Sequence, residues 1–113
     1  MARSDSLQGA LDLLVLKILS RRPAIHGYAI MSAIKDCSRE VLNAEEGSLY
    51  PALHRLEERG WVKSEWQLSA TKRRTKVYRL TPDGRAQLRS ETASWTDFVA
   101  AMNKVLRAEE QPS

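Results

Sequence analysis

Nineteen residues, Trp61 to Arg79, concentrate the positive charge of this chain. Six cations stand there, Lys63, Lys72, Arg73, Arg74, Lys76 and Arg79, against one acid, Glu65. Elsewhere the charges cancel: residues 1–60 hold eight basic and eight acidic side chains, residues 80–113 four and five. A local cluster of cations is what phosphate binding requires, because each one placed beside a phosphate releases condensed counterions. The same cluster could instead be a solvated loop. A second group lies just upstream: Ser48, Tyr50, His54 and Arg55 put a hydroxyl, a phenol, an imidazole and a guanidinium within eight residues. Such groups can hydrogen-bond base edges and phosphates.

Catalytic and metal chemistry find little support. No G-x-S-x-G, phosphate-cradling glycine loop or H-E-x-x-H occurs. His26, Cys37 and His54 do not have metal-ligand spacing. The expectation is a protein that is not an enzyme, with no metal and no cofactor.

The elements that must carry these groups follow from periodicity. Leu7, Ala10, Leu11, Leu14, Val15, Ile18 and Leu19 recur at helical spacing, widened by Leu13 and Leu16, which predicts a first helix buried on two sides and ended by Arg21-Arg22-Pro23. A second helix is expected from about His26-Gly27 to Cys37, its inner face Ala29, Ile30, Ala33 and Ile34. Residues 38–47 read as a connector, with Val41-Leu42 a candidate extended stretch. A third helix is predicted with Ser48 as N-cap, Pro51 in its first turn and Gly60 as its stop. Leu49, Ala52, Leu53 and Leu56 form its apolar face; Pro51, His54, Arg55 and Glu58 point outward, and Arg55 could pair with Glu58.

The period then changes to two. Val62, Ser64, Trp66 and Leu68 alternate with Lys63, Glu65 and Gln67, and Lys76 to Leu80 makes a second strand with Val77 and Tyr78. The result is a hairpin around residues 69–75, with Trp61 and Trp66 expected to cover its inner face. That loop has no glycine, so a long mobile loop is expected over a tight turn. Thr81-Pro82-Asp83 opens a final helix, on which Leu88, Trp95, Phe98, Val99, Met102, Val105 and Leu106 line one side at heptad-like spacing. This stripe needs a partner, and a homodimer would supply one. Three helices followed by a basic hairpin is the layout of a winged helix-turn-helix. The fold class is therefore mainly α with a two-stranded β wing and a long C-terminal dimerisation helix. Residues 1–80 would form the DNA-binding domain, and residues 81–113 the dimerisation helix with a short disordered tail; residues 1–6 look frayed.

The remaining totals fit this picture. At 113 residues and net charge +4 the chain suits one compact domain with an anionic partner. Its one cysteine, Cys37, cannot form an internal disulfide, which fits a reducing cytoplasm; a redox role for it stays open. No signal-peptide core is recognised, and no apolar run reaches membrane-spanning length: Leu13 to Leu16 is flanked by Asp12 and Lys17.

Three stretches together resemble the PadR family of transcriptional regulators, named for the phenolic-acid-decarboxylase repressor. They are Gly47-Ser-Leu-Tyr-Pro-Ala-Leu-His-Arg-Leu-Glu-Glu-Arg-Gly60-Trp, His26-Gly27-Tyr28, and Tyr78-Arg79-Leu80-Thr81-Pro82-Asp83-Gly84. Leu7-Gln8-Gly9-Ala10-Leu11 and the Trp95 to Leu106 segment are similar to its short branch, so the resemblance spans about residues 7–107. It implies a winged-helix dimer that binds double-stranded operator DNA and represses. It also implies groove contacts from Ser48, Tyr50 and His54, backbone contacts near His26 and Tyr28, and a wing of Lys72, Arg73, Arg74 and Lys76. Pro51 and Arg55 are counted with the groove contacts. The dimer would form through the last helix, with Leu7, Leu11 and Leu14 of the first helping. Some members release DNA when a small aromatic or drug-like effector binds. Trp95 and Phe98 could wall such a pocket or simply pack the interface. The alternative is a winged-helix protein–protein interaction module whose DNA face is unused.

Overall fold

In the computed structural model, residues 6–108 are described, with side chains from residue 9 onward. The order is α1 (Ser6–Arg21), β1 (Ile25–His26), α2 (Gly27–Cys37), α3 (Glu46–Glu58), β2 (Val62–Leu68), β3 (Arg74–Leu80) and α4 (Pro82–Ala108). Residues 1–5 and 109–113, read above as a frayed start and a disordered tail, lie outside the described residues.

α1 is the central post. Val15, Leu16, Ile18 and Leu19 are all buried, so the helix is covered on more than one side, as its widened stripe predicts. It packs on α2, α3, β3 and α4. Ile30, Ala33 and Ile34 from α2, Leu49, Leu53 and Leu56 from α3, and Val62 and Tyr78 from the hairpin complete one apolar cluster. Burying each large aliphatic side chain there contributes about 1.5–3 kcal/mol. Leu88 belongs to this cluster too, at 8% exposure. This corrects its expected place in an interface: in the second turn of α4 it is consumed by the chain's own core.

The sheet has three strands in the order β1-β3-β2, all antiparallel, one more than the expected hairpin. Ile25 and His26 pair with Tyr78 and Val77. Two residues carry no period of their own, so only the finished β3 edge creates this strand. In the hairpin, Val62 faces Leu80, Trp66 faces Lys76 and Leu68 faces Arg74.

α3 begins earlier than expected. Its N-cap is Glu45, whose carbonyl accepts from the amides of Ser48 and Leu49. Glu46 in the first turn offsets the positive end of the helix dipole. Ser48 is therefore inside the helix and not its cap. Pro51 falls in the second turn, where it removes one bond, to the Gly47 carbonyl. Both Pro51 and Gly47 are exposed, so the ring meets no packed neighbour and water can reach the freed carbonyl. The C-terminus matches expectation: Gly60 has φ +79°, its amide bonds the Glu57 carbonyl, and the Trp61 amide bonds that of Leu56. This is a Schellman arrangement, and the left-handed residue it needs is the glycine.

The start of α4 also follows the sequence. Thr81 Oγ1 accepts from the Gly84 amide at 2.9 Å, with Pro82 at the first helical position. The same hydroxyl donates to the Gly60 carbonyl at 2.7 Å, and the Thr81 amide donates to the Trp61 carbonyl. A Cβ on Gly84 would stand 2.1 Å from the Trp61 carbonyl oxygen. The first turn of α4 thus rests on the backbone that leaves α3. Between α2 and α3 no strand forms at Val41-Leu42. Ser38 holds that loop by hydrogen bonds with the Leu42 amide and carbonyl, after two left-handed residues, Arg39 and Glu40.

Candidate nucleic-acid interface

The buried face of α3, Leu49, Ala52, Leu53 and Leu56, fixes which side chains are left for solvent. Ser48, Tyr50, Pro51 and His54 are exposed together. His54 Nε2 lies 3.5 Å from a carboxylate oxygen of Glu58 one turn on. Tyr50 is only 42% exposed because its ring lies across α2: a Cβ on Gly27 would meet its hydroxyl at 2.5 Å and its ring at 2.8 Å. Gly27 is thus the gap into which Tyr50 fits, and it brings the starts of α2 and α3 together.

On either side of Gly27, His26 and Tyr28 are exposed, Tyr28 at 70%. His26 caps α2 through its extended backbone and makes no side-chain cap bond. Its pairing with Val77 ties this point to the wing strand. Tyr78, by contrast, is buried; burial, then Tyr50 and Glu57, pushes its phenol above the usual value. The Tyr50–Gly27 contact thus joins the starts of α2 and α3, which carry Tyr28, Ser48, Tyr50, Pro51 and His54, and His26 ties them to the middle of β3.

Arg55 does not join them, nor does it pair with Glu58. It is half-buried and donates through Nη2 to Asp12 Oδ1 of α1 at 2.8 Å. The outward orientation is corrected by one helical step: Arg55 sits at the border of the buried face, where α1 offers a carboxylate. Burial pushes the Asp12 carboxyl up from its ordinary value, against the opposing pull of Arg55 and Arg59. No signal in the sequence links positions 43 apart.

The wing is tighter than expected. Ser69 and Arg73 close it through Ser69 N–H to the Arg73 carbonyl, Lys72 N–H to the Ser69 carbonyl, and Arg73 N–H to Ser69 Oγ. Lys72, at φ +62°, takes the left-handed position that glycine usually fills in a three-residue hairpin turn. The serine hydroxyl bond offsets part of that strain, which is why a glycine-free loop still turns sharply. A three-residue turn thus stands where a longer loop was expected.

Of the segment's cations, Arg79 is neutralised by Glu65. Among the described residues, no acid pairs with Lys72, Arg73, Arg74 or Lys76. Trp66, expected on the covered inner face, is 57% exposed. It lies on the same side of the hairpin as Val62 and Ser64, but the core ends before it. Arg74 stands 4.8 Å and Lys76 5.7 Å from its ring centroid, and Lys76 is 5.9 Å from the Tyr78 ring.

The remaining apolar stripe runs along α4. Trp95, Val99, Met102, Val105 and Leu106 are exposed, and Phe98 is half-buried with its ring 5.6 Å from Trp95. Leu11 and Leu14 are half-buried at the edge of the core. The side chain of Leu7 lies outside the described residues. No helix among the described residues is long and apolar enough to cross a membrane.

Comparison with known proteins agrees with this layout. Residues 15–90 match the Transcriptional regulator PadR-like family. A solved transcriptional regulator from Clostridium thermocellum superposes with a TM-score of 0.79 at 31% identity, covering 88% of this chain and 96% of that one. A PadR family transcription regulator from Clostridium difficile superposes with a TM-score of 0.69 at 31% identity, over 85% and 97% of the two chains. A transcriptional regulator of Mycobacterium tuberculosis is 46% identical over 54 residues, 48% of this chain and 50% of its own length.

Proposed function

This chain belongs to the PadR-like family of transcriptional regulators, and we propose that it is a sequence-specific repressor acting as a homodimer on a dyad-symmetric operator. The observation that carries this reading is the wing's set of cations, without acidic partners among the described residues, on a hairpin whose strand β3 pairs with His26 next to the Gly27–Tyr50 contact. The first turns of α3 enter the major groove, where Ser48, Tyr50 and His54 reach base edges and Pro51 lines the approach. His26 and Tyr28 lie against the sugar-phosphate backbone. Lys72, Arg73, Arg74 and Lys76 settle on flanking phosphates and fix the register. Arg55 braces α3 from behind, through Asp12, and makes no groove contact.

In this scheme residues 1–80 bind DNA and α4 joins two copies. Its stripe from Trp95 to Leu106 covers the same stripe of a partner, with Leu11 and Leu14 at the edge. Trp95 and Phe98 form the wall on which a small aromatic effector stacks to release DNA. The compartment is the cytoplasm.

The test is titration of the protein against DNA from its own upstream region at two salt concentrations, with unrelated DNA as control. A tight, salt-steep complex on a site with half-sites about one helical turn apart supports the reading. Weak binding, equal on both DNAs, overturns it and leaves the protein-interaction module in its place.

A further inference from the structure

Trp66 is more than half exposed, which leaves a face of its indole for contacts other than those of the core. Trp66 is not held by the core, which ends at Val62 and Tyr78 on the same side of the hairpin. What surrounds it is charge. The register sets Lys76 directly across from Trp66, and Arg74 across from Leu68, one pair further along the same face. The guanidinium carbon of Arg74 is 4.8 Å and the ammonium of Lys76 5.7 Å from the indole centroid. Both distances lie within the range in which a ring face attracts a cation. Among the described residues no carboxylate is within ion-pair distance of either cation. The hairpin's acid, Glu65, points to the other face and is taken by Arg79.

We propose that Trp66 is a positioning residue: its indole holds the Arg74 and Lys76 side chains in place on the wing, so that they meet phosphates already ordered. This rests on the DNA-binding reading above. Long cationic side chains lose much rotamer freedom when they bind, and that loss lowers affinity unless it has been met beforehand. An aromatic ring orders them without neutralising them, which a carboxylate cannot do. Among the described residues no aromatic ring stands beside Lys72 or Arg73 at the turn.

A double-mutant cycle on operator DNA tests this. Trp66→Ala is expected to weaken binding about thirtyfold, the product of a little over twofold for each of the four side chains that two wings would have to order on DNA. Trp66→Phe, which keeps a ring, recovers most of that loss; Trp66→Leu, which keeps apolar bulk alone, does not. In an Arg74→Gln, Lys76→Gln background, Trp66→Ala changes affinity less than about twofold, because the groups it acts through are gone. Equal losses in both backgrounds overturn the proposal, since the indole then acts on DNA itself or on the hairpin fold. Leucine performing as well as phenylalanine overturns it as well. A parent protein that binds no DNA overturns the regulator reading, whereas a parent that binds without coupling overturns this inference alone.

Discussion

Replacing Arg73 and Arg74 with glutamine should flatten the salt dependence of operator binding by an amount the structure sets. Among the described residues neither side chain has an acidic partner, so each can neutralise a phosphate in full, and Arg79, held by Glu65, cannot. Two cations lost per protomer remove four phosphate contacts from a dimer. At about 0.9 per contact on B-DNA, the slope of log K against log salt falls in magnitude by about 3.6. Between 50 and 200 mM salt the parent would then lose about 150-fold more affinity than the variant. Fluorescence anisotropy across a salt series reads the slope directly. Arg79→Gln, made in parallel, should change it by less than about one unit. Unchanged slope in the double variant, or an equal change with Arg79→Gln, would refute the assignment of the wing as the phosphate-binding element.

Three other perturbations test other parts of the molecule. Gly84→Ala should destabilise the fold by about 2 kcal/mol or more in urea melts, although alanine is the better helix former by about 1 kcal/mol; its Cβ would stand 2.1 Å from backbone oxygen of Trp61, and a raised midpoint would sink the close-packing argument. Met102→Asp should shift the protein toward monomer in light scattering by placing a charge in the apolar stripe of α4, and a persistent dimer would put the interface elsewhere. For Asp12 the sign is set by its raised pKa: the folded state holds the proton more tightly than the unfolded one, so stability from this group is full below 3.8 and declines as pH rises through the folded-state value. The stability of the parent relative to Asp12→Asn should therefore shrink on going from acid toward neutral pH, and a difference that grows instead would contradict it.

What could be read from the chain was what depends on neighbours in sequence. Thr81-Pro82 and Gly60 act within a few residues of themselves, and both ends they mark are where the residue types place them. The apolar faces of α1, α2 and α3 follow from period alone. Ser48 misled because a good cap residue need not be the cap: Glu45 and Glu46 extend the helix past it, and local rules do not rank the two. Lys72 misled because the turn's geometry comes from Ser69 bonding Arg73, so a non-glycine residue tolerates a left-handed backbone. Trp66 obeyed its alternation, but alternation gives the side of a strand and not where the core stops. β1 and the Arg55–Asp12 pair are tertiary, created only when distant segments meet. The exposed residues of α3 were legible through its apolar period and the motif; which cation has a carboxylate beside it was not.

The junction at Gly60, Trp61, Thr81 and Gly84 makes α4 a lever. Its first turn is fastened to the end of α3 by two hydrogen bonds and a contact too close for any side chain. From it runs a helix of 27 residues, an arm of about 40 Å at the usual rise. Turning such an arm by about 5° displaces its far end by about 3.5 Å, close to the rise of one base pair. In the proposed dimer, a stiff pivot would make the angle at which two α4 arms cross a ruler for the distance between the two copies of α3. A change of a few degrees where the arms meet would then be read on DNA as a half-site spacing wrong by one step.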